Sequence, residues 1–391
     1  MSTQTAVEPF VVSIPQHTLD DLRVRLERTR WPNDPGREDW NHGIDLGYLQ
    51  DLVRYWKDGF DWRAQEAGIN RPPQFRTDID GLGIHFIHER GQGANPLPLL
   101  LTHGFPDSFL RFSKVLPMLT DPASHGGDPA DAFDVVVPSL PGYGFSDPWP
   151  RDGGLFKVAG LWSKLMTEVL GYTRYGAHGG DWGSTVTEQL ARDHGPALAG
   201  IHLTDVPFYH LFQPPKTPSA VEAKYLKQAE QLQKDNGAYA ILQATRPNVL
   251  GSALNDSPAG LAAWIVEKFY RWSDCGGKLE HCFTRDELLC NITLYWVTGT
   301  IQSSFQPYYD TANAGAMTWV REMVKGWIGS TGVPTGFASF PKDILPAPRE
   351  WAERFFDVQR WTDMPRGGHF AALEQPELLV EDIRAFFRPL R

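Results

Sequence analysis

The sequence predicts an α/β architecture: a mostly parallel sheet flanked by helices, with a helical lid inserted between its strands. Three observations predict it. Short apolar runs at 97–101, 135–137, 175–177 and 200–203 alternate with helix-like sequence, the pattern of a parallel sheet covered on both faces. Tyr175-Gly-Ala-His-Gly-Gly-Asp181-Trp-Gly-Ser184 reads as a strand, a tight turn of small residues and a helix start. From about 207 to 310 the sequence becomes Pro-rich and then mostly helical, before strand-like runs resume at 333–337 and 359–362.

Taken in order, residues 16–30 predict a helix, capped by Thr18 with Asp21 three residues on, striped by Leu19, Leu22 and Leu26 and stopped by Trp31-Pro32. A second helix is expected over about 46–67. Phe75, Thr77 and Ile79 alternate, Asp80-Gly81 turns, and Ile84, Phe86 and Ile87 follow, which predicts a hairpin over 74–79 and 82–89. The helix after the turn at 181 is expected to end at His194, because Gly195-Pro196 is a stop signal. Ser257-Pro258 is a helix start, a cap residue followed by Pro at the first helical position, with Leu261, Ile265, Lys268/Phe269 and Trp272 at helical spacing. A final helix over 377–387 carries Leu379, Ile383 and Phe386 on one face. The expected organisation is an N-terminal meander and hairpin over 1–95, a first core part over 96–206, the lid over 207–310 and a second core part over 311–391.

Composition bounds the function. The 391 residues are 41% hydrophobic and 21% charged, ordinary for a soluble globular enzyme. A formal charge of −10 leaves no basic surface for nucleic acid. The 14 Trp, 22 Phe and 12 Tyr are a rich aromatic supply, most of it for the core and some available to line an apolar pocket. Cys275, Cys282 and Cys290 are odd in number and clustered, which reads as reduced thiols in a cytoplasmic protein. The first 20 residues have no apolar signal core, and no run reaches membrane-spanning length. No metal, cofactor or membrane partner is expected; a homodimer would be unsurprising.

The turn at 181 carries the chemistry. Small-x-nucleophile-x-small between strand and helix is the nucleophile elbow of the α/β-hydrolase fold, and Gly179 and Gly183 supply the small positions. The central residue is Asp181, where such a hydrolase usually has Ser. A carboxylate is ionised at neutral pH, with a reference pKa of about 3.9, and needs no base to attack. It forms an alkyl ester, so it suits an sp³ carbon bearing a leaving group; epoxides and alkyl halides both qualify. Hydrolysis of that ester requires a base and an orienting acid later in the chain. His369, in Gly367-Gly-His-Phe370 after the last strand, is the best placed of the 12 histidines. Asp343 is the sole carboxylate between Val333 and Glu350, after the preceding strand. The order nucleophile, acid, His is that of the fold. His103-Gly104-Phe105-Pro106 follows a strand directly, where this fold supplies an oxyanion-hole amide. The N–H groups of Phe105 and Trp182 are the expected donors, and Pro106 is a candidate cis proline. Pro138–Ser146 is a glycine-rich loop expected to shape the rim. An epoxide additionally requires a proton donor for its leaving alkoxide. Tyrosines of the lid could serve, and Tyr209, Tyr225, Tyr239, Tyr270, Tyr295, Tyr308 and Tyr309 are all available.

Over most of its length the chain resembles the microsomal-type epoxide hydrolases. The shared runs include Arg30-Trp-Pro32, His103-Gly-Phe-Pro106, Pro141-Gly-Tyr-Gly-Phe-Ser146, Gly179-Gly-Asp-Trp-Gly-Ser184, Gln243-Ala-Thr-Arg-Pro247, Leu294-Tyr-Trp-Val-Thr-Gly-Thr-Ile301 and Arg366-Gly-Gly-His-Phe370. The resemblance implies ring-opening tyrosines at Tyr239, before the Gln-x-Thr-Arg-Pro run, and at Tyr308, four residues after Ser303-Ser304; Tyr309 is the neighbouring alternative. It also implies a small-molecule epoxide substrate, a covalent aspartyl ester and a vicinal diol product. An acid that can be Glu in the family is Asp343 here, and the anchor helix of the membrane-bound members is not expected.

Overall fold

In the computed structural model of the protein, residues 6–33, 39–149, 154–312 and 329–391 are described. Their strands form one nine-stranded sheet: β1 (Val7–Phe10), β2 (Gln74–Ile79), β3 (Leu82–Glu89), β4 (Leu97–Thr102), β5 (Phe133–Pro138), β6 (Tyr175–Gly179), β7 (Leu198–Leu203), β8 (Pro334–Ser339) and β9 (Asp357–Asp363). Their order is β1-β2-β3-β5-β4-β6-β7-β8-β9. The first four are joined antiparallel, and every pairing from β5 to β9 is parallel. Every residue of β5, β6 and β7 is buried, because helices cover both faces of the sheet. These strands therefore show no polar alternation, and their few polar residues, Asp134, His178 and His202, are buried too. The hairpin β2–β3 turns on Asp80 and Gly81, both left-handed at φ 56° and 81°, which matches the twist of the flanking strands.

Two helical expectations are corrected. α1 (Gln16–Glu27) begins after Pro15, and Thr18 lies inside it, its amide bonded to the Pro15 carbonyl. The helix starts at residue 16 as expected, but Pro15 rather than Thr18 stands at its cap, and it ends at Glu27. The single helix expected over 46–67 is two, α2 (Leu46–Asp58) and α3 (Trp62–Ile69). The chain breaks at Gly59-Phe60-Asp61, and the Asp61 carboxylate caps the new helix through the Ala64 amide at 3.1 Å. β1, which the sequence reading does not anticipate, adds an exposed edge strand to the hairpin.

The core then runs through α4 (Val115–Thr120), α5 (Val158–Lys164) and α6 (Trp182–His194), the helix that follows the turn at 181 and ends where Gly195-Pro196 predicts. Between β7 and β8 lie α7 (Ala220–Asn236), α8 (Ala238–Thr245), α9 (Pro247–Asp256), α10 (Pro258–Trp272), α11 (Arg285–Thr298) and α12 (Gln306–Ala312). The α10 start is as expected: Ser257 Oγ accepts the Gly260 amide at 3.0 Å. Leu261, Ile265, Phe269 and Trp272 face inward from it. α11 is buried nearly all round, and its polar groups hold the loop after β4: Asn291 Nδ2 donates to the Pro106 carbonyl at 2.8 Å and the Tyr295 hydroxyl to the Asp107 carbonyl at 2.8 Å. The C-terminal helix (Pro376–Phe387) packs Leu379, Ile383 and Phe386 against the sheet. Among the described residues no helix is long and apolar enough to cross a membrane.

Candidate active site

The site is built at the carboxyl ends of β4, β6, β8 and β9, with the helices between β7 and β8 above it. Asp181 has φ 58° and ψ −128°, a strained bend for a residue with a side chain. The bend survives because its neighbours leave no room for anything but glycine. A Cβ on Gly179 would stand 2.2 Å from the Gly183 carbonyl oxygen, and one on Gly183 would stand 1.9 Å from that of Thr102. The elbow read from the sequence is therefore a packed strand-turn-helix junction.

The two oxygens of Asp181 face different partners. Oδ1 accepts the Phe105 amide at 2.8 Å, and Oδ2 stands 3.4 Å from Nε2 of His369. Of the two expected oxyanion-hole amides, only that of Phe105 bonds Asp181 in this structure; Trp182 sits at the first turn of α6. Gly104 is obligatory in its own way, since a Cβ there would fall 2.0 Å from Asp181 Oδ1. The Phe105–Pro106 peptide is cis, as expected. His103 is fully buried and its Nε2 receives the Leu140 amide at 3.1 Å, which ties this loop to the glycine-rich loop at 138–146.

His369 Nδ1 and Asp343 Oδ1 are 2.7 Å apart. The ring is buried, and its Nε2 has no hydrogen-bond partner among the described residues. Burial disfavours the imidazolium, but the charges of Asp343 and Asp181 outweigh it and push His369 up to about 10. In the resting site His369 is thus a cation between two carboxylates.

The tyrosines singled out by the resemblance also converge here. The Tyr308 ring lies edge-on to Trp182 (centroids 4.8 Å apart) and Phe105 (5.6 Å), and Tyr239 lies edge-on to Tyr308 at 6.0 Å. Tyr239 also packs on Trp272, which meets the His369 ring at 5.4 Å. Burial first, and the negative charge of Asp181 after it, push Tyr239 above the usual phenol range. Tyr308 is raised by burial, by Tyr239 and by Asp181. Both hydroxyls keep their protons at neutral pH and feel the Asp181 carboxylate. Tyr309 is 38% exposed. Tyr209, Tyr225 and Tyr295 are buried in other contacts: Tyr209 bonds Glu188, Tyr225 packs on Trp351, and Tyr295 anchors the Asp107 carbonyl. Tyr270 stacks on Trp40.

One site residue escapes the sequence reading. Asp205, just after β7, accepts the Asp181 amide on Oδ1 at 2.8 Å and the Ser184 hydroxyl on Oδ2 at 2.6 Å, so it fixes the elbow backbone. Burial, and then the charge of Asp343, push its carboxyl up to about 7. Its only sequence signal is its place at a strand end, which many acidic residues share. The three cysteines are free, and no metal-binding cluster of His, Cys, Asp or Glu occurs among the described residues.

Residues 7–112 match the model for the epoxide hydrolase N terminus and residues 98–255 that for the α/β-hydrolase fold. Epoxide hydrolase 1 of Sus scrofa is 38% identical over 97% of this chain and 88% of its own length. The chain belongs to the epoxide hydrolase family. A protein of Stigmatella aurantiaca, named only provisionally as an epoxide hydrolase, is 45% identical over 98% of this chain and 86% of its own. Among solved structures, that of Aspergillus niger epoxide hydrolase superposes with a TM-score of 0.85 at 33% identity, covering 100% of this chain and 98% of the other. The fold class expected of the sequence is thus the fold of this epoxide hydrolase family member.

Proposed function

We propose that this epoxide hydrolase family member converts bulky or aryl epoxides and water to vicinal diols through an ester on Asp181. The observation that carries the reading is the division of labour at the Asp181 carboxylate. Oδ1 is held by the Phe105 amide and Oδ2 stands toward His369, while burial first and then the charge of the carboxylate act on both tyrosines. Oδ2 attacks an epoxide carbon from the side opposite its C–O bond, while Tyr239 and Tyr308 donate to the ring oxygen and supply the proton that the alkoxide requires.

Ester formation removes the charge of Asp181, and two consequences follow. The tyrosines lose the negative neighbour that raised them, so their acidity rises as the alkoxide forms. His369 loses one of the two charges that hold its proton and gives that proton up, restoring the one the tyrosines passed to the alkoxide, which leaves the neutral base. Neutral His369, oriented by Asp343, then takes a proton from water, whose oxygen attacks the Asp181 carbonyl carbon. The Phe105 amide and the α6 amino terminus at Trp182 stabilise the oxyanion that grows on Oδ1. Collapse releases the diol and regenerates the carboxylate. The aromatic surround of Trp182, Tyr308, Tyr239 and Trp272 favours flat, apolar substituents.

Turnover of a panel of aryl and alkyl epoxides in ¹⁸O-water tests this. Diol should form, fastest from aryl epoxides, and label should accumulate in the peptide that contains Asp181 over repeated cycles. Diol without label in Asp181 would mean direct attack by water on the substrate.

A further inference from the structure

His369 is borne by a loop, yet its main chain is bound on every side. Its amide donates to the Trp272 carbonyl at 2.7 Å. The amides on either side of it, Gly368 and Phe370, donate to the two carboxylate oxygens of Glu374 at 3.1 and 2.9 Å, and the Asp274 amide adds a third bond to Glu374 at 2.7 Å. The His369 carbonyl accepts from Nη2 of Arg111 at 2.6 Å. The other arm of Arg111 pairs with Asp107, whose Oδ1 accepts the Gly104 amide at 3.0 Å, one residue before the amide that holds Asp181. Glu374, Arg111 and Asp107 are all buried. The loop itself cannot swell, since a Cβ on Gly368 would stand 2.6 Å from the Trp272 carbonyl oxygen.

Buried charges of this kind persist only where each has partners of good geometry. Here the partners are the backbone groups around a single residue. A general need for stability would be met as well by apolar packing. Ionic anchors concentrated on His369 are explained by a demand for its placement, because a shift of about 1 Å in a catalytic group can cost on the order of 100-fold in rate.

We propose that Glu374 and Arg111 are positioning residues that fix His369 by its main chain, Arg111 through Asp107 also holding it in register with the oxyanion loop. This rests on the role given to His369 above. Because His369 acts only on the ester, the bonds to its main chain serve the hydrolytic half of the cycle, and a change that spares the charge opposite Asp107 leaves alkylation untouched.

Rapid-quench mass spectrometry of the intact protein, mixed with a substrate the enzyme turns over, reads the two half-reactions separately. Glu374→Gln replaces one acceptor oxygen by a donor, and Arg111→Lys keeps the charge opposite Asp107 but loses the second arm. Each should leave the rate of adduct formation within about twofold of the parent and slow adduct decay by tenfold or more. Steady-state kcat and KM should then fall together with kcat/KM preserved, a pattern that general damage to the fold does not produce. Unchanged decay in both variants, or an equal loss in both half-reactions, would overturn the proposal. His369→Gln run alongside separates this from the underlying reading. If that variant accumulates no adduct, the covalent role of His369 and Asp181 fails, and this proposal with it. If it accumulates adduct while Glu374→Gln and Arg111→Lys decay at the parental rate, the anchors alone are refuted.

Discussion

Nε2 of His369 and Oδ2 of Asp181 stand 3.4 Å apart, with the imidazole buried and pushed up to about 10 by this carboxylate and Asp343. In the proposed mechanism the resting enzyme holds His369, its base, in the protonated form. The raised value has a consequence for stability, and its sign is fixed by linkage. A His whose folded pKa exceeds the unfolded value of about 6.5 stabilises the fold fully below that value, and the contribution is lost as pH rises toward the folded value. Urea unfolding midpoints measured from pH 6 to pH 10 should fall more steeply for the parent than for His369→Gln. Parallel profiles would show that His369 is not charged in the folded state.

Esterification should move the same equilibrium. With Asp181 neutralised, His369 keeps only Asp343 as a charged partner, so adduct decay should show an apparent pKa well below the value of the resting enzyme. Single-turnover decay measured across pH gives that number. Asp343→Asn should lower it further and slow decay by on the order of 10²-fold or more, since the ring loses both its charge partner and its orienting acceptor.

Removing the tyrosine hydroxyls should act on the other half-reaction. Tyr239→Phe and Tyr308→Phe are each expected to slow adduct formation by about 10- to 100-fold with little effect on its decay, as partial loss of a shared general acid predicts. Tyr309→Phe, altering a partly exposed ring, should change neither rate. Rapid-quench measurements of all three would show whether the lid supplies one donor, two or none.

How much of this was legible in the sequence follows from how local each signal is. The buried strands, the Asp80-Gly81 hairpin, the Ser257 cap and the elbow at Asp181 are written in neighbouring residues, and the structure has them where the sequence reading put them. β1 was not legible because its exposed residues include Pro9 and show no buried alternation; its partner β2 alone defines it. The α2–α3 break was hidden because Gly59 and Asp61 are each tolerable within a helical pattern. At the site, Asp181, His369 and Asp343 could be ordered from strand ends, whereas the choice of Tyr239 and Tyr308 came from resemblance alone. Asp205, Asn291 and Arg111 act on backbone groups distant in sequence, Arg111 across 258 residues, and Glu374, though close to Gly368 and Phe370, also reaches Asp274 across 100; a single sequence carries no record of such pairs.

Two glycine substitutions should separate the site from its scaffold. Gly104 lies where an added Cβ would meet Asp181 Oδ1 at 2.0 Å, whereas at Gly160 in α5 it would meet nothing within 4 Å. Gly160→Ala removes an unfavourable helical glycine and should stabilise the protein by about 0.5–1 kcal/mol, with activity unchanged. Gly104→Ala must displace either the Asp181 carboxylate, the proposed nucleophile, or the loop that carries Phe105. It should cost at least on the order of 100-fold in adduct formation, far more than its effect on the thermal midpoint would suggest. Equal activity in the two variants would mean that the Asp181–Gly104 contact plays no part in holding the carboxylate for attack.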